Sequence, residues 1–75
     1  MPRPPLAVVT WDDAWHTLDG ADVDGADAPY RVRTAGWIIR DTPRAVVIAA
    51  ELLPCGTPRG VTRIPRAVVI SVRVL

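Results

Sequence analysis

The sequence predicts an all-β fold, five strands closed into a small barrel. Three observations carry this. Val, Ile, Thr and Trp dominate the apolar stretches, and these residue types favour extended backbone. Pro and Gly recur at short intervals, as they do between short strands. Apolar residues recurring with a helical period are nearly absent.

Each element has a local reason. Strand one, residues 6–11, begins after Pro4 and Pro5. An acidic insertion follows over residues 12–29. Residues 12–18 suit one or two helical turns with Asp12 or Asp13 as N-cap. The remainder is rich in Gly and Asp and reads as a long loop, either functional or poorly ordered. Strand two, residues 30–40, is long and carries Gly36 at its middle, where a small barrel needs a sharp bend. Asp41, Thr42, Pro43 and Arg44 make a turn into strand three, residues 45–53. That strand is apolar on both faces, which calls for cover on its outer side, most economically from another subunit. A Pro-Cys-Gly-Thr-Pro turn leads to strand four, residues 60–64. Strand five, residues 67–75, follows after Pro65 and Arg66 and presents Val68, Ile70, Val72 and Val74 as one apolar face.

A chain of 75 residues reads as one domain, and at this size a lone core is marginal. Cys55 is the only cysteine, so no disulfide forms within the chain, and a structural zinc site lacks ligands. Assembly of several copies is the remaining source of stability. The start is basic but no long apolar run follows it, so no signal peptide or membrane span is expected. The expected location is cytoplasmic, or the host cytoplasm if the chain is phage-encoded.

The net charge of +1 conceals a division. Residues 1–29 hold one arginine against six aspartates, a net of −5. Residues 30–75 hold eight arginines against Asp41 and Glu51, a net of +6. A basic half attracts anions, unless the acidic loop folds over it. All nine basic residues are arginine, whose planar fork binds phosphate bidentately and stacks on flat rings.

Pro-Arg-Ala-Val-Val-Ile occurs at residues 43–48 and again at 65–70. The flanks differ, so both copies read as one local solution: a proline where no ladder donor is needed, an arginine, then β-branched strand. The segment Gly36-Trp37-Ile38-Ile39-Arg40-Asp41, and the segment from Ile64 through Arg66 to Ile70, resemble the corresponding parts of Sm/Hfq-like (Sm/SH3-like) small barrels. The start, Val9-x-Trp11-x-Asp13, also resembles short proteins of actinobacteria and their phages. The Sm resemblance implies rings built by pairing strand four of one subunit with strand five of the next. It also implies a pore lined by the turns bearing Arg44 and Arg66, where RNA binds, with Asp41 matching the family's turn aspartate. The family's first-turn Asn and its Gly after the arginine are absent, with Pro43, Arg44 and Ala67 in those places.

No catalytic constellation stands out. His16 and Cys55 are single, and no spacing ties them together. Aligned to a calcium loop on Gly25, the acidic run places Gly20 and Arg31 where ligands are needed, so no metal is expected. Trp11 and Trp37 read as core residues. Trp15, beside His16, is either a cap on the barrel or a stacking platform. Arg31 and Arg33 share one face of strand two, and Arg40, Arg44, Arg63 and Arg66 gather near turns. The expected function is a non-enzymatic homo-oligomer that captures an anionic, nucleotide-like ligand where subunits meet, with no cofactor. In a phage such a protein would sequester a host immune signal. The alternatives are an Sm-like RNA-binding ring and an inhibitory module that binds a protein by strand-edge pairing.

Overall fold

The computed structural model describes residues 3–14 and 30–75. It contains five strands, β1 (Leu6–Asp13), β2 (Tyr30–Asp41), β3 (Ala45–Leu52), β4 (Pro58–Pro65) and β5 (Val69–Val74), with a 3-10 turn at Arg66–Val68. All lie in one antiparallel sheet of order β4-β3-β2-β1-β5. The all-β expectation and the order of elements hold. Asp12 and Asp13 are strand residues rather than helix caps. Expectations on the rest of the acidic insertion, Trp15 and His16 among them, lie outside the described residues.

The sheet is not closed into a barrel. Consecutive strands β4 and β5 stand at its opposite ends and do not pair. Four strand spacings would separate them by about 19 Å in a flat sheet. A 3-10 turn rises only about 2 Å per residue, and three residues join β4 to β5. The sheet therefore curls until its ends approach. Closure would need a β4–β5 ladder, and the 3-10 turn occupies the start of the segment that would supply it.

The core lies inside the curl. Ala7, Val9, Ile38, Val46, Ile48 and Ile64 form its buried cluster, and Trp11, Val68, Val69 and Val72 pack against it. Trp11 also donates from Nε1 to Thr34 Oγ1 at 3.0 Å, which satisfies its one polar group. Gly36 is present for space. Its φ is not positive, but an added Cβ would lie 2.3 Å from the Ala49 carbonyl oxygen. The expected bend residue is the point where β3 closes on β2. Ala45 and Ala49, on the outer side of β3, are buried within the single chain, so those positions need no second subunit for cover.

Two irregularities of register decide which residues face out. Ile38 opposes Ile48 but Arg40 opposes Val47, so Ile39 is a bulge. Without it Arg40 would oppose Val46 on the core side. Likewise Thr10 opposes Ser71 while Trp11 opposes Val69, so Ile70 is skipped. The apolar face expected of Val68, Ile70, Val72 and Val74 is interrupted: Val68 and Val72 pack against the core, Val69 joins them, and Ile70 is exposed. A bulge re-aims the side chains beyond it, and here each one delivers an arginine, Arg40 or Arg73, to the outer face.

Candidate functional site: an aromatic and arginine face on β2, β3 and β4

Residues directly opposite in an antiparallel pair project to the same side. Two cross-strand rows follow on the outer face. Trp37, Ala49 and Val61 form one, and Arg40, Val47 and Arg63 form the next. The rows are two residues apart along β3, about 7 Å. Arg44 sits in the adjoining turn. Arg40, Arg44 and Arg63 are exposed, and none forms a salt bridge among the described residues. Arg40 spends one N–H on the Ile39 carbonyl oxygen at 3.1 Å.

Trp37, expected in the core, is half-buried on this outer face. It lines a cleft of about 720 Å³ with Arg3, Leu53, Pro54 and Cys55. The exposed Cys55 thiol is held below its usual value by Thr57, first through the side-chain hydroxyl and then through the backbone. Arg3 was not legible as a site residue, because nothing in the sequence brings it to β2.

Arg66 is engaged within the chain. Its Nε and Nη2 donate to the Thr42 carbonyl oxygen at 3.1 and 3.0 Å, and Nη2 also pairs with Asp41. Its backbone N–H donates to the Arg44 carbonyl oxygen at 2.8 Å. Thr42 in turn closes the β2–β3 turn, its N–H donating to the Ala45 carbonyl oxygen at 3.0 Å. The two Pro-Arg segments of the repeat therefore lie side by side, and Arg66 fastens one to the other. The Asp41 carboxylate is 56% exposed and water replaces part of what is lost, so Arg66→Ala should cost about 0.5–1 kcal/mol. Thermal unfolding should show Tm lower by about 4–8 °C per kcal/mol. An unchanged Tm refutes the clamp.

Two further arginines are neutralised locally. Arg31 Nε donates to Asp12 at 2.9 Å, and this hydrogen bond, with the carboxylate charge, raises the guanidinium pKa. Arg59 bridges Glu51 at 3.0 Å. Of the nine arginines, Arg31, Arg59 and Arg66 are thus matched with carboxylates. The other six have no such partner among the described residues, and four of them, Arg33, Arg40, Arg63 and Arg73, stand on the outer face of the sheet. Arg33, expected beside Arg31, shares its side but stands opposite Thr10, away from the Arg40 and Arg63 row.

No family model matches this chain, and no curated protein or solved structure matches it.

No cluster of three or more metal-ligating side chains occurs among the described residues. No helix among them is long and apolar enough to cross a membrane.

Proposed function

We propose that this protein is a non-enzymatic, homo-oligomeric binding protein that captures an anionic, nucleotide-like ligand beside a subunit interface. One observation carries the reading: the Trp37 row and the Arg40 and Arg63 row are neighbours on one face, next to the unpaired edge of β4. An indole offers a stacking surface to a planar base, worth about 1–3 kcal/mol. Two guanidiniums one row away offer charge-assisted forks to a phosphate. The edge of β4 leaves backbone donors and acceptors free on one side, as does that of β5, and exposed Val61 and Ile70 lie on these strands. Such edges template pairing with another chain. A second copy added there brings its own arginines to the same place, so the pocket is completed by assembly. In a phage, such a protein would sequester a host nucleotide signal.

The test uses ATP and a uridine dodecamer as probes, with light scattering for mass. The expected result is a mass above 8.1 kDa and ATP affinity lowered tenfold or more by Arg40→Ala with Arg63→Ala. Trp37→Leu should lower it about fivefold, near 1 kcal/mol. ATP binding should depend only shallowly on salt. Dodecamer binding with a steep salt slope and no ATP binding would favour the Sm-like ring instead. A single-copy species, or ATP affinity indifferent to the three changes, overturns the proposal.

A further inference from the structure

A second basic feature lies at the other end of the sheet, on β2, β1 and β5. Arg33, Thr10 and Ser71 form one cross-strand row, and Val8 and Arg73 belong to the next. Together these five residues line a groove of about 260 Å³. The bulge at Ile70 creates it. With Trp11 opposite Val69, an unbroken register would set Ser71 against Val9 on the core side. The skipped residue turns Ser71 and Arg73 outward and Val72 inward.

The chemistry of this groove is all of one kind. Two guanidiniums approach from the strands flanking β1, and two hydroxyls stand opposite one another between them. No carboxylate lines the groove. The carboxylate two residues along β1 from Thr10 belongs to Asp12, and both of its oxygens accept from Arg31, at 2.9 and 3.4 Å. Arg33 and Arg73 make no side-chain hydrogen bond or salt bridge among the described residues. Two guanidinium forks line one groove with no carboxylate partner among the described residues, an arrangement suited to a shared counter-ion. The volume lies below the range of about 300–1,000 Å³ typical of pockets for drug-sized ligands. Its occupant is therefore a small group, and hydroxyl and guanidinium donors without acceptor-only partners select an oxyanion.

We propose that this groove binds one tetrahedral phosphoryl group. Arg33 and Arg73 grip its oxygens from two sides, Thr10 and Ser71 donate to it from below, and Val8 makes the apolar wall. The site is complete within one chain. It uses none of the residues of the Trp37 face and does not depend on assembly, so it stands or falls apart from the nucleotide reading. Inorganic phosphate and the terminal phosphate of a phosphomonoester share the chemistry required.

The experiment is a titration of isotope-labelled protein with inorganic phosphate and, separately, with phosphoethanolamine, followed by amide NMR at constant ionic strength. The expected result is saturable shifts at Thr10 and Ser71 with one site per chain. Arg33→Gln and Arg73→Gln should each weaken binding tenfold or more, and Thr10→Val or Ser71→Ala about threefold. Arg40→Ala with Arg63→Ala should leave the titration unchanged. Saturation by both probes assigns the site to phosphomonoesters in general, and saturation by phosphate alone assigns it to the free ion. Shifts that do not saturate, that sodium chloride reproduces, or that survive the Arg33 and Arg73 changes would overturn the proposal. All four positions lie on the outer face, and retained dispersion of the core methyl signals shows that each variant is folded.

Discussion

Gly36→Ala should be among the most damaging single-methyl additions in this protein, costing about 3 kcal/mol or more. The added Cβ would lie 2.3 Å from the Ala49 carbonyl oxygen, 3.0 Å from its carbonyl carbon and 3.0 Å from Ile48 Cγ1. Two of these atoms are backbone, and the third belongs to a side chain that is 1% exposed, so none can swing aside. Relief requires β2 and β3 to separate at this point. A chain of 75 residues has roughly 4–11 kcal/mol of stability in total, so the loss is a large part of it. Thermal unfolding should show Tm lower by about 12 °C or more. Gly56 offers the contrast: nothing lies within 4 Å of its added Cβ, and its φ of +90° is the obstacle. Gly56→Ala should cost only about 1 kcal/mol. Equal losses at the two glycines would mean that close approach is not what Gly36 provides.

Ile64→Ala should cost about 3 kcal/mol, and the cost should fall unevenly over the sheet. Ile64 is fully buried, and every other residue of β4 is exposed. That strand is held by its ladder to β3 and by this one side chain in the core. Truncation leaves a cavity beneath β4 and removes the one buried side chain that the strand contributes to the core. Amide exchange should therefore accelerate more over residues 59–64 than over β1 and β2, beyond the global change. Uniform acceleration would mean that β4 is not separately anchored. Because β4 also carries Arg63, the same substitution should weaken ATP capture at the Trp37 face.

Much of this was legible in the residues. Five strands follow from local chemistry. Pro4 and Pro5 precede the first, the Thr42 hydroxyl hydrogen-bonds to Ala45 within its own turn, and β-branched runs have one comfortable backbone. The arginine excess was visible too, because charge is additive and needs no fold. The placement of site residues was less legible. Trp37 reads as core on size alone, yet it faces outward because it stands opposite Ala49, and no sequence spacing contains a register. Arg66 reads as a free cation in a turn, but its guanidinium is engaged by Asp41 and Thr42, which lie 25 and 24 positions away.

The repeated hexapeptide makes the division plain. Its first copy is a turn followed at once by strand from Ala45. Its second passes through a 3-10 turn at Arg66–Val68 before strand resumes at Val69. Six identical residues thus take two structures, because the first joins neighbouring strands while the second must bridge the two ends of a curled sheet. By itself the sequence determined that the backbone is extended, where it turns and how much cationic charge it carries, since these depend on each residue and its immediate neighbours. The tertiary structure alone decided which arginines are tied down and which face outward. Single-residue slips at Ile39 and Ile70 invert the side of every residue beyond them, and such a slip is chosen by packing across strands far apart in the chain.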